Sequence, residues 1–315
     1  MQARAEAQGT TRAVVGTRGS KLALVQTSGI IAQLKRIDAD LDIQMTTVRT
    51  EGDILHTASL AQIGGTGVFV KEIEAALLAG EIDLAVHSLK DLPVQQPAGL
   101  CIGAICQRED PHDVLLSKHN GGLDALPAGV VVGTGSLRRR AQVLAYRPDL
   151  EVRDIRGNVD TRLRKLHDGE YDAIVLAAAG LKRLGHTVTE QQYLPFEAVL
   201  PAVGQGALAI EMRTGDERIA RLIAPLNDPP TQVATQAEAA FLAAFGGGCA
   251  IPLGAYAEVA DDVLTLQGMV SSPDGRRLLR ERMIGAPQAP ATLGTQLAHS
   301  LLARGAGEII AEVLR

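Results

Sequence analysis

Tryptophan is absent from this 315-residue chain, and phenylalanine and tyrosine occur four times each. Aromatics at 3% exclude stacked rings as the main grip on a ligand, and with them the aromatic platforms of single-strand nucleic-acid binders. The net charge of −5 points the same way, because a chain that coats nucleic acid is basic overall. Cysteine is scarce, with Cys101, Cys106 and Cys249 making the whole set. An odd, sparse set excludes a disulfide framework and fits a reducing compartment. No C-x-x-C and no Cys/His cluster occurs, so no metal site is expected. No apolar run approaches bilayer-crossing length. The opening MQARAEAQGTTR has no apolar secretory core, so residues 1–11 read as a disordered tail and the cytoplasm is the expected location. Phosphate motifs are missing too. There is no Walker pattern, and Gly64-Gly65-Thr66-Gly67 neither follows a clear strand nor matches G-x-G-x-x-G.

What is present is an alternation of strand and helix patterns. RAVVG (12–16), LDIQMTTVR (41–49) and DLAVHS (83–88) read as strands. Residues 20–36, with Ser20 as N-cap, and 68–80, ending at a glycine, read as helices. This βαβαβ order predicts a parallel sheet with helices on its faces. A second run has strands at 113–117, 130–134, 150–154 and 171–178, and helices at 136–145 and 158–168. After residue 200, ALAIEMR (207–213) reads as a strand returning to the first domain. ATQAEAAFLAAF (234–245) is a helix, an antiparallel meander follows, and 289–313 is a last helix. The expected units are 1–106 with 207–224, then 112–200, both α/β, and a small α+β domain over 229–315.

One junction is written twice, as VVGTRGS (14–20) and VVGTGS (131–136). The echo extends to GEIDLAVHSLKDL (80–92) and GEYDAIVLAAAGLKRL (169–184), which reads as structural duplication. A strand meeting Gly-Thr and a helix N-terminus presents free N–H groups and the positive end of the helix dipole, a natural anion site. Two such junctions facing each other across a cleft would hold a multiply anionic ligand.

Arginine is concentrated beside them. Residues 138–164 hold eight arginines and no lysine, and arginine is favoured where carboxylate or phosphate is gripped bidentately. Arg138 and Arg139 fall in a helix's first turn, where cations oppose the dipole, so a ligand anion is expected to compensate them. Arg156, Arg162, Arg183 and Arg18 also fall at strand-to-helix junctions, whereas Arg140, Arg147 and Arg164 read as solvated faces. Two other stretches carry chemistry. HSLKDLP (87–93) ends a buried strand, and an aspartate among cations can stabilise a cationic intermediate or carry a proton. Taken alone, Asp91 reads first as a helix cap or surface ion pair, and His87 as a satisfied core histidine. FGGGCAIPLG (245–254) breaks helix and strand, which puts Cys249 on a loop as a nucleophile or as an inert small residue. Cys101 and Cys106 lie in an apolar run and read as core. Residues 50–67 read as a mobile loop able to cover the cleft.

Together these stretches resemble the porphobilinogen deaminase (hydroxymethylbilane synthase) family. The resemblance rests on GTRGSKLALVQ (16–26), GVFVKEIE (67–74), HSLKDLP, GTGSLRRRAQ (133–142), IRGNVDTRLRKL (155–166), AGLKRLG (179–185), LPAVGQGALAIE (200–211) and GGGCAIPLG (246–254). It implies two similar doubly wound domains like those of periplasmic binding proteins, plus a small α+β domain with an antiparallel sheet. It implies a transferase of tetrapyrrole and heme biosynthesis that joins four porphobilinogens, with release of ammonia, into hydroxymethylbilane. Growth would occur on a dipyrromethane cofactor covalently attached to Cys249. By the same resemblance Asp91, Arg18 and Lys90 are catalytic, and Ser20, Lys90, Asp91, Ser136, Arg138, Arg139 and Gly157 hold the cofactor. Arg18, Arg156, Arg162, Arg183 and Phe69 bind substrate. The partners implied are porphobilinogen and the growing polypyrrole chain, with no nucleic acid or membrane and a monomeric state. Thr66, Gln62 and Lys21 depart from the family pattern, which touches the loop's charge and not the reaction.

Two other classes compete on the residues alone. A solute-binding or effector-sensing module shares the two-domain architecture, but predicts a secretion signal or DNA-binding segment and has no use for Cys249 or Asp91. A phosphate-ligand transferase would use the arginines as a clamp, but predicts a metal or Walker-type site.

Overall fold

The structure, a computed structural model, describes residues 12–49, 70–119, 121–247 and 251–313. The expected covering loop at 50–67, Phe69 and Cys249 lie outside the described residues.

Strands β1 (Arg12–Arg18), β2 (Asp42–Val48), β3 (Leu84–Ser88) and β4 (Leu100–Ile105) belong to one sheet. Strands β5 (Asp113–Ser117), β6 (Val131–Gly133), β7 (Glu151–Arg153) and β8 (Ala173–Ala177) form a second, and β9 (Leu208–Arg213) rejoins the first. The orders are β2-β1-β3-β9-β4 and β5-β8-β6-β7. The strands of the βαβαβ run, β1, β2 and β3, are parallel as expected, and each sheet also takes in one antiparallel strand. β9 runs against β3 and β4, and β5 runs against β8. The cause is the path of the chain. It leaves β4 at the cleft end and crosses directly to β5, and it later returns to β9 from the same side. A strand that starts at the cleft must run opposite to those that finish there.

Helices cover both faces of the first sheet. Helix α1 (Lys21–Ile37) buries Ile30 and Leu34 against Ala13, Val15, Leu84 and Val86. Helix α2 (Lys71–Leu78) buries Ile73, Ala76 and Leu77 against Ala85 and Leu100 on the other face. In the second unit, α3 (Leu137–Tyr146) lies on one face and α4 (Val159–His167) with α5 (Ala178–Arg183) on the other.

The duplication is visible atom by atom. Val14 N donates to Asp83 Oδ2 at 2.8 Å, and Val131 N donates to Asp172 Oδ2 at 2.8 Å. The reverse backbone bonds, Asp83 N to Val14 O and Asp172 N to Val131 O, are 2.8 and 3.0 Å. Ile82 sits beneath Gly16 and Tyr171 beneath Gly133, where an added Cβ would come within 2.3 and 2.8 Å of those side chains. The G-E-x-D turn thus does the same work twice. Its apolar residue packs under the glycine of VVGT, and its aspartate ties the two parallel strands together. Ser20 and Ser136 then cap α1 and α3, accepting from Ala23 N and Arg139 N.

After α6 (Glu217–Ile223) comes a unit of α7 (Pro229–Ala244), the antiparallel strands β10 (Leu253–Ala260), β11 (Val263–Ser271) and β12 (Leu278–Gly285), and helices α8 (Pro290–Ala303) and α9 (Ala306–Val313). The single closing helix expected over 289–313 is broken at Gly305, which adopts φ +96°. Fully buried Glu238 of α7 fastens this unit to the crossovers. Its carboxylate accepts from Arg108, Gly204 N and Ala257 N. Arg147, expected on a solvated face, instead donates to the carbonyls of Leu123 and Leu126 and pairs with Asp149. Among the described residues no helix is long and apolar enough to cross a membrane.

The aspartate ties are testable. Asp172→Ala leaves Val131 N without its acceptor and should destabilise by about 1–3 kcal/mol. Asp83→Ala should cost more, because Asp83 also pairs with Arg213 and Arg218. Urea unfolding of both variants measures this, and equal or negligible losses would contradict it.

Candidate active site

Strand β3 runs into a single 3₁₀ turn, Leu89–Asp91, closed by Leu92 N on Leu89 O at 3.1 Å. Leu89 N is held by Ala207 O at 3.0 Å, and Ser88 Oγ accepts from Gln26 Nε2 of α1 at 3.1 Å. The turn therefore presents Ser88, Lys90 and Asp91 at the cleft end of the first sheet. Facing it are the cleft ends of the second sheet, with Arg139 on α3, Arg162 on α4 and Arg183 on α5. The cavity between them measures about 130 Å³ and is lined by Gln26, Ser88, Lys90, Asp91, Arg139, Arg162 and Arg183 with apolar residues of both units. A smaller cavity of about 60 Å³ adjoins it, sharing Gln26, Ser88 and Asp91 and adding Arg18, Ser20 and His87.

The electrostatics are lopsided. Among the described lining residues Asp91 is the one acid, against Lys90, Arg139, Arg162 and Arg183. Burial, reinforced by Arg139, pulls the Lys90 ammonium down to about 8. Burial, with Arg139 and Arg156 beside it, pulls Arg162 down to about 10. Burial also lowers Arg183. These groups are crowded and partly desolvated, which disfavours their charged forms until an anion joins them. Carboxylates are the complementary ligand, since guanidinium binds them bidentately.

The structure separates the expected residues. Lys90, Asp91, Arg139, Arg162 and Arg183 line the larger cavity, and Arg18, Ser20 and Asp91 the smaller. Ser136, Arg138, Arg156 and Gly157 line neither. Gly157 adopts φ +109° and its carbonyl accepts from Arg162 Nε at 2.8 Å, so it aims that arginine. Arg156 stays close to the second VVGT turn, 3.9 Å from where a Cβ on Gly135 would lie. Arg138 and Arg139 correct the expectation that a ligand anion compensates them. The Arg138 guanidinium is buried, donating to Asp113 Oδ2 at 2.7 Å and to Leu200 O at 2.6 Å. Asp113 is the compensating anion. It also accepts from Arg139 at 2.7 and 3.0 Å and from Gln205 Nε2 at 2.8 Å. Burial would push the Asp113 carboxyl up, but Arg138 and Arg139 together hold it well below the usual carboxylate range. Gln205 Oε1 in turn accepts from Lys90 Nζ at 3.3 Å.

Sequence reasoning missed Asp113 and Gln205. The signal for Asp113 was an acid heading the apolar strand DVLLS, a position that needs a buried cation. Gln205 carried no signal beyond its glycine-rich surroundings. As for Cys106, burial pushes its thiol up to about 11, which makes it unreactive.

A dipyrromethane bearing carboxylates fits this donor set, since the cavity holds more cationic donors than its own acid can neutralise. Residues 13–221 match the family model described as "Porphobilinogen deaminase, dipyromethane cofactor binding domain", and residues 233–303 match "Porphobilinogen deaminase, C-terminal domain". A porphobilinogen deaminase of Brevibacillus brevis is 52% identical over 302 residues, covering 96% of this chain and 97% of that one. The enzyme of that name from Moorella thermoacetica is 52% identical over 299 residues, covering 95% and 96%. Among solved structures, the methionine binding protein MetQ aligns with a TM-score of 0.41 and 15% identity, covering 68% of this chain and 88% of that one.

Two outcomes follow from the buried charges. Asp113→Ala strands two buried guanidinium groups and should destabilise by about 3–5 kcal/mol in denaturant unfolding; a loss below about 1 kcal/mol would refute the network. Lys90 ionises at lower pH folded than unfolded, so its charge costs stability fully below about pH 8 and progressively less above it. Lys90→Met should therefore raise stability relative to the parent more at pH 7 than near pH 10, a comparison of urea midpoints that a pH-independent difference would contradict.

Proposed function

Because the chain belongs to the porphobilinogen deaminase family, we propose a division of labour among its cleft residues for that family's reaction. The protein is a hydroxymethylbilane synthase, a transferase of tetrapyrrole biosynthesis that joins porphobilinogen units and releases ammonia. Arg139, Arg162 and Arg183, with Arg18 at the neighbouring cavity, bind the acetate and propionate carboxylates of porphobilinogen and of the growing polypyrrole chain. Arg156 supports the same carboxylates from the turn beside Gly135. Lys90, held by Gln205, adds a cation whose charge becomes firm once a carboxylate arrives. Asp91 does the electrostatic work at the reacting carbon. As ammonia leaves, the aminomethyl carbon becomes cationic, and a carboxylate at the tip of a rigid turn stabilises that charge. The observation that carries this reading is that, among the described residues, a single acid lines the cavity with four cations at the joint of the two sheets.

The dipyrromethane, when bound, supplies the nucleophilic pyrrole carbon from which the chain starts. Cys249 is assigned as its thioether attachment. Ser20 and Ser136, whose oxygens cap helices, retain O–H donors for carboxylates at the two VVGT junctions. Arg138 serves by fixing Asp113 and so Arg139, Gly157 by aiming Arg162, and Phe69 by contacting substrate. The domain limits are read as 1–106 with 207–224, 112–200 and 229–315. The protein is read as a cytoplasmic monomer, which the free thiols of Cys101 and Cys106 support for location.

Intact mass of the denatured protein, beside Cys249→Ala, tests the attachment. An excess equal to two linked pyrroles, present only with Cys249, is expected; no excess even after incubation with porphobilinogen would leave Cys249 a plain loop residue and favour a binding module. Asp91→Ala should fold and bind porphobilinogen normally while losing at least about 100-fold in ammonia release, and near-parental turnover would remove Asp91 from its role.

A further inference from the structure

Behind the catalytic turn lies a charged trio that these roles do not use. In the β3–β9 pairing, Ala85 stands opposite Glu211 and His87 opposite Ala209, so His87 and Glu211 share one face of the sheet. Their side chains meet, with His87 Nε2 3.1 Å from Glu211 Oε2, and only 4% and 0% of the two side chains are exposed. Helix α2 covers this face and contributes buried Glu74. Glu74 Oε1 and Glu211 Oε1 are buried without a hydrogen-bond partner among the described residues. Two carboxylates and one imidazole in an apolar layer interact strongly, because little water screens them. Burial, then the charge of Glu211, pushes the Glu74 carboxyl up, against weaker opposing pulls from His87 and Lys71. His87 also borders the smaller cavity, together with Arg18, Ser88 and Asp91. The charged groups around it are therefore Glu211 from β9, Glu74 and Lys71 from α2, Arg18 from the end of β1 and Asp91 from the turn.

We propose that Glu211 fixes His87 with its proton on Nε2, leaving Nδ1 as the proton acceptor for the reaction in the adjoining cavity. The inference rests on the assignment of that cavity as the active site. Each coupling turns R–CH2–NH3+ and H–R′ into R–CH2–R′ and NH4+. A C–N bond breaks with its electron pair leaving on nitrogen, a C–C bond forms, and the proton of the attacking ring carbon ends on ammonia. His87 takes that proton and returns it to the departing ammonia, so no further reactant is needed. Asp91 meanwhile holds the cationic carbon, and the two residues divide charge stabilisation from proton transfer.

The test is a histidine-labelled 15N spectrum of the full-length protein, with the His87 ring assigned by its loss in His87→Gln. The expected result is an Nε2–H tautomer in the parent protein. Glu211→Leu removes the acceptor, so the fixed Nε2–H form should give way to a mixture with the Nδ1–H form. In the holoenzyme, His87→Gln should lower kcat about 100-fold with KM within about threefold. A proton on Nδ1 in the parent protein, or kcat within about twofold of parental in His87→Gln, overturns the proposal. The tautomer is read without turnover, so an inactive parent protein would count against the assigned reaction and leave the His87 result standing.

Discussion

Asp113 is wholly buried at the head of β5 and takes four hydrogen bonds, one from Arg138, two from Arg139 and one from Gln205. Much of the cleft depends on this carboxylate. It lets two guanidinium groups sit in the first turn of α3, where the helix dipole alone would oppose them. It holds Gln205, which Pro111 O also fixes at 2.8 Å, and Gln205 reaches Lys90 on the opposite unit. A carboxylate of one sheet thus sets a lysine of the other through a residue of the crossover. Such a buried network gains little over apolar packing in stability, but losing one member strands the rest. Its worth here is geometric, because it orients Arg139 and Lys90 toward one point.

The cleft itself follows from strand direction. Four parallel strands of the first unit, β1 to β4, and three of the second, β6 to β8, finish at the cleft edge, and β5 and β9 start there. The G-E-x-D turn and the VVGT glycine are used twice to bring that edge into register. Ligands of open α/β sheets bind beyond the carboxyl ends of strands, and here two such edges face each other. Glu238 then ties the third unit to both crossovers through Arg108 and Gly204.

Recognition by charge rather than by stacking is consistent with the near absence of aromatic residues. Of the few present, Tyr193, Phe196 and Tyr256 cluster with His112 beside the crossovers, with His112 stacked 4.1 Å from Phe196, away from the cavity lining. Porphobilinogen units carry carboxylates on every ring, so under the proposed division of labour a cleft with surplus cations would grip each added unit by the same means, strengthened by low dielectric. Under the same proposal one acid would suffice, because the developing charge is a single cation.

Local signals were enough for much of this. The paired VVGT junctions, Ser20 as a cap, the β3 strand ending in Ser-Leu-Lys-Asp, and the arginines at strand ends were all legible, because each depends on residues close in the chain. The strand Leu100–Ile105 was harder to see. A bulge between Ile102 and Ala104 breaks its alternation. The antiparallel sense of β5 and β9 was hidden as well, since it depends on where the chain crosses between units. By itself, the sequence determined the duplicated α/β units, the anionic character of the ligand and the family, all matters of local pattern and composition. Only the tertiary structure decided that Arg138 is spent on Asp113 while Arg139 both pairs with Asp113 and borders the cavity, and that Glu211 and Glu74 stand behind His87. The Arg138–Asp113 and His87–Glu211 pairings join residues 25 and 124 positions apart along the chain, which no local pattern encodes.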